Sequence, residues 1–152
     1  MSLVIKFILI ITISINCFGF ETIYFLPKDS KKAKKDITKL LKNSKKSIDI
    51  AIYNFTYKKF NKAIDKAIQN GIDVTIIYQK TKLKFNKKID LIKTKRKLHI
   101  KLAIIDQKYI IFGTANWTKD SFGKNYEIVT ISDDKDKVKQ MIKIIERIKK
   151  EN

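Results

Sequence analysis

From Pro27 onward the apolar residues keep switching between two spacings, and this restricts the fold more than any other feature. Ala33, Ile37, Leu40 and Leu41 fall on one face of a helix. Ile48, Ile50 and Ile52 then alternate with Asp49, Ala51 and Tyr53, the period of a strand. Tyr57, Phe60, Ala63, Ile64, Ala67 and Ile68 return to helical spacing, and Asn70-Gly71 supplies the stop. Val74–Tyr78, Leu98–Ile105, Tyr109–Phe112 and Asn125–Ile131 read as further strands. Val138, Met141, Ile142, Ile145 and Ile148 stripe a final helix, with Asp133 and Asp134 at its start and Lys149 and Lys150 at its end. That charge order suits the helix dipole. Strands alternating with helices imply an α/β layered domain. Only Asp106, Gln107 and Lys108 separate two of the strands, so a hairpin and hence a mixed β-sheet flanked by helices is expected. Residues 81–95 are dense in lysine and fit either a helix or an exposed loop.

A chain of 152 residues is the size of one domain. Four glycines and one proline leave no long linker, and no internal repeat is present. The stretch from Leu3 to Phe20 is apolar apart from Lys6, the pattern of a secretory signal or an uncleaved membrane anchor. The competing reading is a buried first strand. The expected division is residues 1–20 as signal or anchor and 21–152 as the folded domain. Export follows: held in the inner membrane facing the periplasm, free in the periplasm, or secreted. The single cysteine, Cys17, lies in this segment and excludes an internal disulfide framework.

The net charge is +19, carried by 34 Lys and Arg of which only Arg96 and Arg147 are arginine. Such a balance points to a polyanion: DNA, RNA or an anionic membrane. The alternative is a bias of coding composition, since isoleucine, asparagine and lysine are all abundant. Charge does not separate the three polyanions.

The chain has one histidine, His99, two residues before Lys101 on a strand-like segment. On a strand, His99, Lys101 and Ala103 share one face, while Leu98, Ile100, Leu102 and Ile104 face the core. Gly113 lets backbone approach closely, and Thr114 and Asn116 add neutral hydrogen-bonding groups. Glu127 is the carboxylate placed to hold a histidine in one tautomer. Imidazole near neutral pH can act as nucleophile or general acid on a phosphate ester. Lys101 and Asn116 can neutralise non-bridging oxygens, and one such donor is worth about 3 kcal/mol. One histidine with no cluster of further His, Asp or Glu beside it gives no set of metal ligands, so metal-independent chemistry without a cofactor is expected.

The spacing His99-x-Lys101, then Asp106, then Gly113-Thr114-x-Asn116 resembles the signature motif of the phospholipase D superfamily, which has Ser where this chain has Thr114. Asn125-Tyr-Glu127 falls where that family places its histidine-orienting glutamate. The apolar N-terminus, the Ile-Tyr-Phe-Leu-Pro27 run, Ile50–Thr56 and Gly71–Val74 resemble the plan of its small bacterial Nuc-type endonucleases. The resemblance implies a phospholipase D-like fold and a phosphohistidine intermediate. It also implies an active site built from two motif copies, one histidine attacking phosphorus and the other protonating the leaving oxygen. With one motif per chain, a homodimer would have to supply His99, Lys101 and Asn116 from each protomer. Asp106 belongs to the motif, but would fix its turn or pair with a lysine; Glu127 would orient His99.

Lys82, Lys84, Lys95 and Lys97 either line a substrate groove or form a solvated loop. Tyr53, Phe55, Tyr78 and Trp117 either stack on bases or pack the core, and Trp117 is the stacking candidate because it follows Asn116. The leading expectation is an exported nuclease cleaving DNA or RNA. The alternatives are a lipid phosphodiesterase, and an inactive relative that holds DNA at a membrane.

Overall fold

The structure is a computed structural model describing residues 19–152. The expected signal or anchor, apart from Gly19 and Phe20, lies outside those residues. Among them, seven strands form one mixed sheet: β1 (Glu21–Leu26), β2 (Ser47–Phe55), β3 (Asp73–Thr81), β4 (Asp90–Lys93), β5 (Lys101–Ile105), β6 (Tyr109–Gly113) and β7 (Glu127–Ser132). Their order is β1-β7-β6-β5-β2-β3-β4. β2, β3 and β4 run parallel to one another, and every other pairing is antiparallel. The described helices are α1 (Ser30–Lys42), α2 (Lys58–Gln69), α3 (Lys119–Gly123) and α4 (Lys135–Lys150).

Each helix forms where an apolar stripe can be buried. Ala33, Ile37 and Leu41 of α1, with Phe60, Ala63, Ile64 and Ala67 of α2, are sealed against one sheet face. Gly71, at φ +78°, ends α2; its amide bonds Ile68 O, and the next amide, of Ile72, bonds Ala67 O. That pair of bonds is the left-handed termination a glycine permits. α4 covers the other face, burying Val138 and Ile145 over Ala51, Ile77, Leu102 and Ile104. The Asp134 carboxylate caps α4 by accepting from the amides of Asp136 and Lys137 at 3.0 and 2.9 Å.

Several elements differ from the sequence expectation. β1 is a full edge strand that periodicity did not separate from the apolar run before it. Residues 81–95 are neither helix nor mere loop: Leu83 and Phe85 pack on the core, and Asp90–Lys93 pairs with β3 as β4. The ladder of β5 begins only at Lys101, so His99 precedes the strand, although Leu98 and Leu102 do share a core face as alternation requires. Ala103, on the opposite face, is buried in the core under α1 and α2 rather than facing open space.

Asp106 lies in the β5–β6 turn at the end of the strand opposite Lys101. It and Gln107 adopt φ +58° and +52°, a left-handed pair in which a short polar side chain costs least. Its Oδ1 accepts from the amides of Lys45, Lys46 and Ser47 at 2.8, 2.7 and 3.3 Å. One carboxylate thus ties the hairpin to the start of β2. Asp106→Ala should lower unfolding free energy by about 2–3 kcal/mol, and Asp106→Asn by less, as read by denaturant titration. Activity per folded molecule should stay near wild type in both.

Candidate active site

The carboxyl ends of β2 and β3 and the amino end of β5 meet at one edge of the sheet. Lys101 pairs with Ile52, and the Tyr53 amide donates to Ile100 O at 3.2 Å. On the other side of β5, Leu102 pairs with Phe112, which brings Gly113 beside Lys101. Gly113 holds φ +152°, and a Cβ there would lie 2.0 Å from Ile128 O. Only glycine allows β6 to come this close to β7. The following residue locks the approach: the Thr114 amide donates to Ile128 O at 2.9 Å, and its Oγ1 accepts from Ile128 N at 3.0 Å. Thr114 is therefore committed to β7 backbone.

Asn116 is set by its neighbour. Trp117 is only 4% exposed, wedged edge-on against Phe55 and Phe60 at 5.1 and 5.0 Å between ring centres. Its amide bonds Asn54 O, while its carbonyl accepts from Thr56 and Tyr57. Asn116 Oδ1 in turn accepts from Asn54 N at 3.2 Å. With the oxygen engaged, the side-chain amide keeps its two N–H donors for another acceptor. The same burial removes Trp117 from the base-stacking candidates; Phe55 is fully buried too.

Lys101 is 8% exposed, and desolvation pushes its ammonium pKa below the usual lysine range, with Glu127 and Tyr53 opposing that shift. Nζ donates to His99 O at 3.0 Å, leaving two N–H donors. Glu127 is half-buried; its charge acts on Lys101, and its Oε1 accepts from Asn125 Nδ2 at 3.4 Å. The His99 side chain is exposed, with its ring 6.2 Å from that of Tyr53. His99, Lys101, Asn116 and Glu127 thus gather at one edge; Thr114 adjoins them as a structural link, and Asp106 stands at the far end.

Tyr53 and Lys80 join this edge without having been singled out for the reaction. Lys80 Nζ sits 5.3 Å over the Tyr53 ring. The nearby Lys80 ammonium above all, with the charges of Lys97 and Lys101, holds the Tyr53 phenol below its usual pKa. No sequence signal marked the pair: register sets Lys80 opposite Asn54, and only its long side chain brings the ammonium over the Tyr53 ring. Lys82, Lys84, Lys95 and Lys97 are all exposed. A cavity of about 250 Å³ opens beside His99 and Lys101, passing Phe112 and Gly113 to Met141 and Ile144 of α4. A larger cavity, about 890 Å³, lies at the opposite end of the sheet, away from these residues. Among the described residues no three His, Cys, Asp or Glu side chains come together as metal ligands would.

A family model described as cardiolipin synthase, PLD-like domain, matches residues 37–149. Human mitochondrial cardiolipin hydrolase is 26% identical over 113 residues, which cover 67% of this chain and 45% of that protein. The chain therefore spans less than half the length of that relative. Among solved structures, NucT from Helicobacter pylori superposes with a TM-score of 0.77 at 25% identity, over 88% of this chain and 97% of that one. Nuc from Salmonella typhimurium, a phospholipase D family member, shares the fold with a TM-score of 0.73 at 19% identity, over 88% and 95%. Matched through most of its described length and folded as these proteins are, the chain belongs to the phospholipase D-like family.

Proposed function

We propose that this protein is a metal-independent endonuclease that cleaves nucleic acid through a phosphohistidine intermediate in a homodimeric site. The observation that carries the reading is the edge itself. A histidine, a desolvated lysine and an asparagine with free N–H donors sit together, flanked by exposed Lys80, Lys82, Lys84 and Lys97. The family resemblance supports a phosphodiester as the bond attacked, and the sequence plan shared with Nuc-type endonucleases, with a net charge of +19, supports a nucleic acid as its carrier.

In this mechanism a His99 ring nitrogen attacks phosphorus, forming a P–N bond as the P–O bond to the leaving strand breaks. The partner protomer's imidazolium gives that oxygen its proton. Water, deprotonated by the same imidazole, then cleaves the P–N bond and releases the phosphate end. Lys101 and Asn116 donate to the equatorial oxygens as their charge builds. Lysines outside the site draw in the backbone without reading sequence.

The homodimer has support on the surface beside the site. Ile23 and Phe25 of β1 and Ile128 of β7 stand exposed, and Tyr126, just before β7 and 83% exposed, stacks on Phe25 beside Glu127. α4 packs over β2, β5 and β6, leaving this strip without a helix. We also retain the apolar segment before Phe20 as an export signal or membrane anchor; no described helix is long and apolar enough to cross a membrane.

A lipid phosphodiester is the second reading. Met141 and Ile144 give the cavity beside His99 an apolar wall, and the human relative is named for cardiolipin hydrolysis. One assay separates the readings. Wild-type protein in EDTA should cut labelled DNA or RNA, and His99→Ala should lower the rate by at least about a thousandfold. Phosphatidic acid release from vesicles with no strand cleavage would favour the lipid reading. Nucleic-acid binding without cleavage, unchanged in His99→Ala, would make the chain a binder.

Two further outcomes are expected. Because burial lowers its pKa, Lys101 loses its charge at lower pH than an ordinary lysine near 10.5. The alkaline fall in kcat/KM should therefore lie below that value and disappear in Lys101→Arg, if the variant retains activity, since guanidinium stays charged. The sign for stability is opposite: between the folded and unfolded pKa values the unfolded chain holds the extra proton, so this group's contribution to stability rises with pH. For the dimer, equilibrating wild type with an equal amount of His99→Ala should lower activity per wild-type chain to about half, as random exchange of protomers requires. Unchanged activity would place a complete site in one chain.

A further inference from the structure

We propose that the end of the domain opposite the active site docks on an anionic lipid bilayer, a placement that the anchoring reading of the N-terminal segment supports and that its own lysines carry. The larger cavity, about 890 Å³, lies at this end, bounded by α1, the β5–β6 turn and the start of β1. Its rim carries Lys39, Lys45, Lys46 and Lys108, all exposed. The carboxylates there are already engaged: Asp36 accepts from Lys32 Nζ and the Tyr24 hydroxyl, Asp106 from three amides, and Asp133 from the Phe20 amide. None forms an ion pair with those four lysines among the described residues.

Two features favour lipid over a second stretch of nucleic acid. The cavity has an apolar side, including Leu40 and Ile131, and Phe20 stands at its rim 47% exposed. Cations beside exposed apolar groups suit a headgroup layer, where charge meets phosphate and the ring enters the interface. The chain before the domain also enters here, and residues 3–18 of the sequence hold one charge, Lys6. β1 runs from this rim at Glu21 to Leu26, the partner of Glu127 at the active edge. β2 makes the same passage over nine residues, about 30 Å. A domain docked by this end presents its active edge away from the bilayer, open to a polymer in solution.

The test uses the full chain with two sets of vesicles: phosphatidylcholine alone, and phosphatidylcholine with about one third phosphatidylglycerol. Flotation reports association, and acetylation followed by peptide mass spectrometry reports each lysine. Lys39, Lys45, Lys46 and Lys108 should react roughly fivefold more slowly on the anionic vesicles than on the neutral ones, while Lys82 and Lys84 keep their rates. In Lys45→Gln/Lys46→Gln/Lys108→Gln, protection of Lys39 should disappear. The wild-type comparison between vesicles stands if that variant does not fold. Flotation with both vesicles but equal labelling overturns this proposal alone. Flotation with anionic vesicles only, with the four lysines protected, sinks the anchor and keeps the docking surface; flotation with neither overturns both. Protection of Lys82 and Lys84 instead would turn the active edge to the lipid. Stronger protection of the four lysines by a DNA oligonucleotide without lipid would make this a nucleic-acid surface; either result overturns the proposal.

Discussion

The contact between Gly113 and the backbone of Ile128 governs the arrangement of the site. A methyl group at Gly113 would fall 2.0 Å from Ile128 O, so any side chain would push β6 from β7. With the strands close, Thr114 exchanges two hydrogen bonds with Ile128 and turns the chain back toward β2. Trp117 then reaches the pocket between Phe55 and Phe60, and Asn116 is left beside Asn54. A glycine, a hydroxyl and a buried indole thus fix an amide that lies outside any strand.

The cost of the arrangement falls on Lys101. A domain of charge +19 gains nothing from one more buried cation, and burial already disfavours the charged form. The ammonium is retained through a hydrogen bond to His99 O and the nearby Glu127 charge. The Glu127 charge thus bears on Lys101, while its Oε1 is bonded to Asn125 Nδ2. A phosphate oxygen would provide the second anionic partner that the folded chain itself supplies only in part.

Much of this was legible in the sequence, because the site is built from elements whose periods are plain. The alternation through Leu98, Ile100, Leu102 and Ile104 sets the sidedness of Lys101 even where the ladder has not begun. The 3.6 spacing of Phe60, Ala63, Ile64 and Ala67 likewise appears directly as a buried face. Other features escaped for physical reasons. β1 is apolar on both faces, with Tyr24 and Leu26 inward and Ile23 and Phe25 exposed, so no polar alternation separates it from the run before it. Trp117 carried no local mark of direction; its burial follows from Phe55 and Phe60, more than fifty residues away in sequence. Asp106 belongs to a motif yet works at a distance from its companions, since motif spacing records sequence position and strand length sets distance in space.

The lysine-rich segment after β3 shows how a basic surface can be made rigid without burying charge. Lys82 and Lys84 alternate with Leu83 and Phe85, whose side chains pack on the core, Phe85 lying 5.5 Å from Phe55 between ring centres. Thr81 fixes the departure of this segment: its hydroxyl donates to Phe55 O at 2.7 Å and accepts from the Leu83 amide at 3.0 Å. The apolar residues hold the backbone, so the lysines need no carboxylate to hold them. Cations held by ion pairs would be partly neutralised before a substrate arrived; these keep their full charge toward it. The same packing that completes the core beside Phe55 therefore also fixes the backbone that carries these exposed cations.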